Sequence, residues 1–581
     1  MILSSLSLPA SVSCVDTECY LRHVNCAVHD NIVELLVPGA CFSTDTFHNF
    51  IAIEKYKSLT NFRDYQIKIK GQGEVVVDTI GILRTSYYDA EVVLDSRKCS
   101  LTDEVTFNVP ESDCSSIYLR ITALTRAQIE AINFCAEVPE ANCIKLAYCI
   151  CSYNRENFVK EFLQNISLFH NNSEIDFFIV ENGQSYQLGK LPANVKEIKN
   201  RNLGGAGGFT RGIVEALENG EYSHIILADD DISISTETFN RLIALLKGLK
   251  KEYSSHFISG AMLSRDERWL QYERTAILTP RGFVSFGNGA DLRVKHVALN
   301  EALQFPRHES GLAGWWFCVF PVRFINEFGL PLPVFIRGDD VEYSVRCHPK
   351  IITWNGLCVW HEPFIKKYNE VMEDYYLVRN LTLISFIYDD TYRQIRTQFV
   401  FRKFIRNILL FDYVGAYFNV LALRHIKYRS YLKDPERLNI ELFKDLKTKL
   451  AKNIPTYKST NEGLIHSNYS NKKAVLKLFL QYSFGVCFGE ARTLGGFARN
   501  IKTFLGRSQV STYQEQGIFR VYKFKYFEAW KLIFQFLKIY VDLKINSVKY
   551  KKEIKEFAVN ASKKEKWLEK FNLEISNDVM K

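Results

Sequence analysis

The sequence predicts a multidomain α/β protein in three parts: an N-terminal β-sandwich or jelly roll, a central domain with a mostly parallel sheet, and a helical C-terminal region. Three observations support this prediction. Short alternating strands fill residues 1–143, strands and helices alternate over residues 144–380, and helical, basic, aromatic-rich sequence covers residues 381–581. With 581 residues, the chain is also too long for a single hydrophobic core.

The first part consists of short apolar or alternating runs separated by turn residues. Residues 31–37 and 116–122 are two such runs, and Pro38-Gly39 is one such turn. Many short strands with few helical signatures are typical of sandwiches and jelly rolls.

The central part alternates between strand and helix patterns. The predicted strands are 144–151, 175–181, 224–228 and 257–262, and the predicted helices are 156–169, 210–218 and 236–249. Such alternation predicts a mostly parallel sheet with helices on both faces. Because ligands of such sheets bind beyond the carboxyl ends of the strands, the chemistry is expected there.

The composition is that of a folded protein with a basic C-terminal part. The net charge is +9, and lysine-rich runs occur at 549–552 and 563–566. These runs suit a polyanion or an acidic membrane face, although solvated helix faces explain each run separately. Aromatic residues make up 14% of the chain, which suits sugar stacking but is explained first by core packing.

The cysteines and the apolar segments bear on the compartment. Ten of the fourteen cysteines precede position 152 without a CxxC pair, so reduced, buried thiols are expected rather than a zinc ribbon. The first nine residues lack the basic start of a signal peptide. The most apolar long segment, 404–423, contains Arg406 and Asp412, which argues against a spanning helix. A cytoplasmic protein, peripheral at the inner face of the cell membrane, is expected.

Three consecutive acids form the strongest single feature. The hydrophobic strand at 225–228 leads directly into Asp229, Asp230 and Asp231. Alternate carboxylates can hold one divalent cation, which bridges the oxygens of a diphosphate and neutralises the leaving phosphate. A helix cap is the alternative, but three acids exceed what a cap needs.

A glycine-rich run precedes the acids. Residues 200–208 read Asn-Arg-Asn-Leu-Gly-Gly-Ala-Gly-Gly and open a helix. Glycines permit close approach of the backbone, and a helix N-terminus attracts anions. A flexible loop is the alternative, and the spacing fits neither a Walker loop nor the dinucleotide fingerprint.

A second acidic pair, Asp339-Asp340, opens another predicted helix. One carboxylate could deprotonate an acceptor hydroxyl while its neighbour holds a second hydroxyl, or both could cap the helix. His361 is a candidate third metal ligand, although a histidine next to a tryptophan more often packs. For Trp315 and Trp316, sugar stacking and core packing remain equally open.

These clusters follow the order found in family 2 glycosyltransferases of the GT-A fold. Over residues 145–380 they resemble the galactofuranosyltransferase branch, which builds cell-wall galactan. The β-rich start and the helical tail also match that family's layout. The matching motifs are Cys149-Ile-Cys-Ser-Tyr-Asn-Arg155, Asn202-Leu-Gly-Gly-Ala-Gly-Gly-Phe209, Asp229-Asp-Asp231, Gly314-Trp-Trp316, Asp339-Asp-Val-Glu-Tyr343, Trp360-His-Glu-Pro363 and Tyr375-Tyr-Leu-Val-Arg-Asn380.

The resemblance implies a metal-dependent, inverting transfer of galactofuranose from UDP-galactofuranose to a hydroxyl of a growing cell-surface glycan. The site residues it implies are Arg155 and Asn202 for uridine diphosphate, Asp230 nearer the nucleotide sugar, Asp229, Asp231 and His361 for Mn²⁺ or Mg²⁺, Asp340 as general base, Asp339 as its acceptor-binding neighbour, and Glu273, Trp315 and Trp316 near the acceptor.

Several alternatives stay open. Residues 260–310 and the tail depart from the family's pattern, so a family 2 transferase for rhamnose, glucose or galactose is the enzyme alternative. An inactive glycan-binding scaffold is the alternative from another class. The acceptor could be lipid-linked. The helical pattern at 527–543 suits either peripheral membrane contact or homo-oligomerisation, and nucleic acid is not an expected partner.

Overall fold

The structure is a computed structural model, and it describes residues 1–85, 88–183, 187–307, 310–362, 370–428, 435–453, 456–458, 474–487, 490–494, 500–513 and 518–572. Within these residues the protein is a mixed α/β protein, as predicted. The division into domains at 143 and 380 stays a prediction.

The N-terminal part is a ten-stranded, antiparallel sheet built around one long strand. Its elements are β1 (Ile2–Ser5), β2 (Arg22–Val24), β3 (Cys26–His29), β4 (Ile32–Leu35), β5 (Cys41–Ser43), α1 (Ile53–Leu59), β6 (Arg63–Arg84), β7 (Asp89–Leu101), β8 (Glu104–Asn108), β9 (Ser116–Ala123) and β10 (Ala127–Glu137). The first half of β6 pairs with β8 and β10, and its second half pairs with β7 and β9. Side chains that alternate along β6, such as Ile67, Ile69, Val75 and Val77, are buried in the core. The strand-rich start is as predicted, and the sandwich or jelly roll stays a prediction.

A seven-stranded sheet forms the centre of the molecule, in the order β13-β12-β11-β14-β22-β16-β23. Its strands are β11 (Leu146–Ser152), β12 (Ile175–Glu181), β13 (Val195–Lys199), β14 (His224–Asp229), β16 (Phe257–Ser259), β22 (Cys318–Pro321) and β23 (Ile351–Ile352). Strands β11 to β14 pair in parallel, whereas β22 is antiparallel to both of its neighbours. The helices that alternate with the parallel strands are α2 (Glu156–Asn165), α3 (Gly204–Asn219) and α4 (Thr236–Gly248).

A second sheet has five strands, which are interleaved along the chain with those of the first sheet, in the order β15-β24-β17-β18-β21. Its strands are β15 (Ile232–Ile234), β17 (Ala261–Ser264), β18 (Leu270–Glu273), β21 (Ala290–Asp291) and β24 (Cys358–His361). The hairpin β19 (Thr275–Thr279) and β20 (Gly282–Phe286) and the helices α5 (Lys295–Ala302), α6 (Arg323–Phe328) and α7 (Asp339–Cys347) complete this region.

The C-terminal part is mainly helical. A π-helix (Val371–Tyr376) leads into α8 (Leu377–Ile387), α9 (Asp389–Leu409), α10 (Tyr413–Tyr428), α11 (Pro435–Asn453), α12 (Ala474–Phe484), α13 (Ile501–Phe504), α14 (Tyr526–Ile545), α15 (Ser547–Ala561) and α16 (Lys564–Phe571). The stacked rings of Phe404 and Phe536, 3.9 Å apart, mark its core. Across the described residues, none of the helices combines the length and the apolar character needed to span a bilayer.

The sequence predicted only helices in this last part, but the structure also contains a small four-stranded sheet. Its strands are β25 (Thr456–Lys458), β26 (Glu490–Leu494), β27 (Gln509–Tyr513) and β28 (Ile518–Lys523), in the order β25-β28-β27-β26. These strands are three to six residues long. Runs this short carry little periodicity, which explains why the pattern did not reveal them.

Candidate active site

Three neighbouring parallel strands end at the same edge of the central sheet. In their pairing Cys151 of β11 lies opposite Asp229 of β14, and Ser152 lies opposite Glu181 of β12. Because parallel strands share a carboxyl edge, the residues that follow these strands meet there. The edge therefore gathers Arg155 and the three consecutive acids, as the sequence predicted.

The first and third of those acids form a group with His361. Strand β15 follows the acids directly and pairs with β24, with Ile232 opposite His361. This register places Nε2 of His361 3.4 Å from Oδ2 of Asp229 and 3.2 Å from Oδ1 of Asp231. One ligand atom from each residue lies within 4.8 Å of the other two. Residues 130 positions apart in sequence thus meet through strand pairing.

The group fits a divalent cation in its chemistry. Nδ1 of His361 lies 2.7 Å from the carbonyl oxygen of Glu362, and because a carbonyl can only accept, Nδ1 carries the hydrogen and Nε2 faces the acids. Burial lowers the pKa of His361, but hydrogen bonds with Asp229 and Asp231 outweigh it and raise the pKa to about 9. Two carboxylates and an imidazole are a donor set that suits Mn²⁺ or Mg²⁺. Pro363 of the same motif lies outside the described residues.

Arg155 supplies a positive charge directly beside the acids. Its Nη1 lies 3.2 Å from Oδ1 of Asp230 and 2.5 Å from Oδ2 of Asp231. Burial raises the pKa of Asp230 to about 7, with Arg155 opposing the shift and Asp231 adding to it. The guanidinium remains partly exposed, so it is available to an anionic ligand while the acids orient it.

The glycine-rich run forms the first turns of α3, which begins at Gly204 rather than at the predicted Thr210. Gly204 has a φ of +72°, and a Cβ there would lie 2.2 Å from the carbonyl oxygen of Phe335. A Cβ on Gly208 would lie 2.2 Å from Sγ of Cys151. Asn202 holds the turn before the helix, since its Oδ1 accepts a hydrogen bond of 3.0 Å from the Gly204 amide. The glycines therefore allow the start of α3 to approach the segments that carry the acids.

The second acidic pair, Asp339 and Asp340, occupies the first turn of α7. Oδ2 of Asp339 lies 3.2 Å from the point where a Cβ on Gly205 would stand, so this carboxylate faces the start of α3. Burial raises the pKa of both carboxyls, and the charge of Asp229 raises both further. The charge of Arg337 acts in the opposite direction on Asp340. The start of α3 faces Asp339 at Gly205 and packs against Cys151 at Gly208, and Cys151 lies opposite Asp229. The two acidic groups therefore lie at the same edge of the sheet.

The backbone that leads into this pair has an uncommon conformation. Phe335, Arg337 and Gly338 have φ values of +72°, +64° and +86°, a left-handed region that costs side-chain-bearing residues free energy. The fully buried Asn380 spans this segment, and its Nδ2 donates to the carbonyl oxygens of Val334 (3.2 Å), Ile336 (3.0 Å) and Arg337 (2.6 Å).

Arg379 supports the same segment from beside Asn380. Its Nε donates to Oδ1 of Asn380 at 2.9 Å, and its Nη2 donates to the carbonyl oxygen of Val334 at 2.8 Å. The Arg379-Asn380 pair belongs to a motif of the resemblance, but the sequence indicated no role for it. The structure assigns it the positioning of the segment before Asp339.

Arg337 and Glu273 complete the surroundings of Asp340. Arg337 forms an ion pair with Glu373 of the π-helix. Glu273 ends β18 and accepts a hydrogen bond from Ser285. Burial raises the pKa of Glu273; Ser285 lowers it and the charge of Asp340 raises it again. Glu273 was among the residues predicted for the site, whereas Arg337 was not. The signal that could have identified Arg337 is its position directly before Gly338-Asp339.

The two tryptophans lie in a turn before β22 and are both buried, with exposed fractions of 4% and 7%. The ring of Trp315 packs edge-on against Phe209, at 5.2 Å, and near Tyr343. Nε1 of Trp316 donates to the carbonyl oxygen of Gly260 at 2.9 Å. They belong to different core clusters, so they point in different directions, and their contact with substrate stays a prediction.

In sequence, the chain is similar to mycobacterial galactofuranosyltransferases. It is 23% identical over 354 residues to galactofuranosyltransferase GlfT2 of Mycolicibacterium smegmatis, and this match covers 57% of this chain and 53% of that protein. It is 34% identical over 147 residues to galactofuranosyltransferase GlfT1 of Mycobacterium tuberculosis, and this match covers 25% of this chain and 43% of that protein. The chain thus spans about half the length of the curated relatives it matches.

Two further comparisons add little. No protein-family model matches the chain. The solved structure of mannosyltransferase PcManGT from Pyrobaculum calidifontis, in complex with GDP-Man and Mn²⁺, is 12% identical; the match covers 42% of this chain and 66% of that one, with a TM-score of 0.27. A TM-score this low is not enough to establish a common fold. In sequence, this chain is thus similar to galactofuranosyltransferases over about half of their length.

Proposed function

We propose that the chain is a metal-dependent, inverting galactofuranosyltransferase with a GT-A catalytic domain. In this proposal it transfers galactofuranose from UDP-galactofuranose to a growing cell-surface glycan at the inner face of the membrane. The observation that supports it best is that Asp229, Asp231 and His361 form one group at the carboxyl edge of the parallel strands, while Asp339 faces the start of α3 at the same edge. The names of the relatives supply the sugar.

The donor is assigned to the side of the site formed by β11, β14 and α3. Mn²⁺ or Mg²⁺ held by Asp229, Asp231 and His361 would neutralise charge on the departing diphosphate. Arg155 binds the uridine diphosphate and is oriented by Asp230, 3.2 Å away, which lies nearer the nucleotide sugar. Asn202, which shapes the turn before α3, is the second contact to this group.

The acceptor is activated by Asp340. Its carboxylate removes the proton from the acceptor hydroxyl, the hydroxyl oxygen bonds to the anomeric carbon, and the bond from that carbon to the diphosphate breaks. The proton remains on Asp340 and UDP leaves with the bonding electrons. Burial supports this role because it raises the pKa of Asp340, which makes the carboxylate a stronger base. A single displacement of this kind inverts the anomeric centre.

The remaining residues are assigned to acceptor binding. Asp339, which is next to Asp340 in the chain, accepts a hydrogen bond from a second hydroxyl of the acceptor. Glu273, whose pKa is raised by burial and by Asp340, lies near the same carboxyl and would hold a further hydroxyl. Trp315 and Trp316 are assigned to the acceptor side as well.

A transfer assay with purified protein tests the proposal. UDP-galactofuranose, Mn²⁺ and a short galactoside should give an extended product. NMR should show that the anomeric configuration of the transferred sugar is inverted relative to the donor. The product should disappear with a chelator and with Asp340→Asn. Turnover of a different nucleotide sugar, with none of UDP-galactofuranose, would overturn the donor assignment. Tight glycan binding without turnover of any donor would overturn the assignment as an enzyme.

A further inference from the structure

The strand that carries His361 packs on both of its faces. Side chains alternate between the two faces of a strand, and in β24 Val359 lies in one core cluster whereas Trp360 lies in another. The neighbouring strand β17 divides in the same way, with Met262 in the first cluster and Leu263 in the second. His361, one residue after Trp360, therefore lies on the face of β24 opposite to the indole.

The cluster around Trp360 joins the second sheet to the N-terminal part of the chain. Trp360 is 3% exposed there. The ring of His48 is stacked on that of Tyr20, with centroids 4.3 Å apart, and lies 5.9 Å from the ring of Trp360. The aromatic residues that the N-terminal part contributes to this cluster are Tyr20, Phe47, Phe50 and Tyr118.

Arg268 holds the same indole from another side. Its guanidinium carbon lies 4.1 Å from the centre of the Trp360 ring, and its Nε lies 3.4 Å from Oδ2 of Asp16. Nε1 of Trp360 donates to the carbonyl oxygen of Arg268 at 3.1 Å. A cation over the face of a tryptophan is attracted by the electrons of the ring. Tyr20, His48, Arg268 and Trp360 together are called the Trp360 clamp below.

We propose that the Trp360 clamp is a positioning device for the metal site, in which it holds β24 so that Nε2 of His361 faces Asp229 and Asp231. The strands whose pairing brings His361 to the acids, β15 and β24, are three and four residues long. So few ladder hydrogen bonds specify a register weakly, and a shift of β24 by one residue would turn Trp360 toward the acids and His361 into the apolar cluster. Burial of a large aromatic side chain on one face disfavours that shift.

The inference rests on the proposed metal site and extends it to the N-terminal part of the chain. Trp360 is a positioning residue in this proposal, since it acts on the ion only through His361. Residues that orient a metal ligand typically change metal affinity by about 10–100-fold when they are replaced. An effect of that size separates positioning from a contribution to stability alone.

A second tryptophan at the same boundary supplies a matched control. Trp354 is 4% exposed, its ring lies 4.8 Å from that of Tyr56 in α1, and Nζ of Lys55 lies 4.8 Å from its centre. It lies outside β15, β17 and β24, the strands that bring His361 to the acids. Trp354→Leu therefore removes a similar buried ring between the N-terminal and central parts without changing those strands.

Binding of Mn²⁺ to the full chain, without donor, tests the proposal. Paramagnetic resonance gives the dissociation constant, and electron spin echo modulation shows whether a histidine nitrogen is coupled to the ion. Trp360→Leu should weaken Mn²⁺ binding at least about tenfold and reduce the nitrogen coupling. Trp360→Phe keeps an aromatic ring in the clamp and should stay within about threefold of wild type. Trp354→Leu should lose a comparable free energy of unfolding and bind Mn²⁺ like wild type.

A milder pair of variants gives a result even where Trp360→Leu does not fold. Arg268→Gln removes the stacked cation, whose side chain is 40% exposed, and should weaken Mn²⁺ binding about threefold. Loss of a positive charge by itself would strengthen binding of a cation, so this direction is specific to the clamp. The control is Arg293, whose guanidinium carbon lies 4.3 Å from the centre of the Trp269 ring and whose Nη2 lies 2.7 Å from Oδ2 of Asp291. Arg293→Gln should not weaken Mn²⁺ binding.

Three outcomes would overturn the proposal. The first is wild-type affinity and nitrogen coupling in Trp360→Leu, or, where that variant does not fold, equal affinity in Arg268→Gln and Arg293→Gln. The second is equal weakening in Trp360→Leu and Trp354→Leu, because the loss would then follow stability. The third is a wild-type chain that binds no Mn²⁺, which would overturn the proposed metal site as well, whereas the first two leave that site standing.

Discussion

The segment before Asp339 depends on one buried amide, and Asn380→Ala tests that dependence. In the wild-type chain the two hydrogens of the Asn380 amide are shared among the carbonyl oxygens of Val334, Ile336 and Arg337. The variant leaves these carbonyls with fewer donors in a region that water does not reach. The left-handed segment then loses a main restraint on its conformation.

The expected magnitude follows from two opposing contributions. Left-handed φ costs about 1–2 kcal/mol for each residue with a side chain, so Phe335 and Arg337 together cost about 2–4 kcal/mol. Two net hydrogen bonds contribute about 1–3 kcal/mol. Because the two amounts are similar, loss of the amide allows the segment to relax and moves Asp340. A displacement of about 1 Å in a reacting group costs roughly 10²-fold in rate, so kcat should fall by about that factor.

Steady-state kinetics and a matched buried amide distinguish positioning from stability. Asn355 is also buried, and its Nδ2 donates to the carbonyl oxygens of Phe50 and Phe47, so Asn355→Ala removes a similar group away from the acids. Both variants should lower the free energy of unfolding by about 1–3 kcal/mol. Only Asn380→Ala should lower kcat, with Mn²⁺ affinity and the KM for the donor close to wild type. Equal kcat in the two variants would refute the positioning role.

Four further predictions address the site and the core. Asp340→Asn should lower kcat by about 10²–10⁴-fold, while calorimetry should show that donor binding is retained. Because a raised pKa keeps a base protonated to higher pH, wild-type kcat/KM should fall with decreasing pH from a point above the ordinary pKa of an Asp carboxyl. His361→Ala should weaken Mn²⁺ binding at least about tenfold, measured by paramagnetic resonance. Gly204→Ala should lower soluble yield or activity strongly, because a Cβ would lie 2.2 Å from the Phe335 carbonyl oxygen. Burial lowers the pKa of Lys55 to about 7, so between pH 7 and about 10 this lysine is protonated in the unfolded chain but not in the folded one. The free energy of unfolding of wild type should therefore rise with pH in this range, relative to Lys55→Met, by at most about 1.4 kcal/mol per pH unit.

The parts of the fold with strong local patterns were predictable from the sequence. Strand β12 has the predicted bounds, Ile175–Glu181, because apolar residues at 175 and 177–180 form a short run that begins after Glu174 and ends at Glu181. Helix α4 begins at the predicted Thr236, where the Ser235 side chain caps the Glu237 amide. The triple acid at the end of β14 was also recognisable as a candidate metal site, since an acidic run after a buried strand has few structural uses, and the structure groups Asp229 and Asp231 with His361.

Other features depend on contacts that no local pattern encodes. Helix α3 begins at Gly204, although glycine is a poor helix former, because packing of Gly208 and Gly212 against Cys151 and Cys149 outweighs propensity. The meeting of His361 with Asp231 depends on the register of two short strands. Without the family resemblance, the sequence offered His361 only as one candidate among residues that more often pack.

The apolar residues of α14 show most directly why burial cannot be read from such a helix. Apart from one polar stripe, the sequence of α14 is apolar around its circumference, so its pattern alone does not show which apolar residues the rest of the protein covers. The structure divides it: Phe536 stacks on Phe404 in the core, whereas Phe534, two residues earlier, is 66% exposed. The distinction comes from the neighbouring helices, which cover one face only.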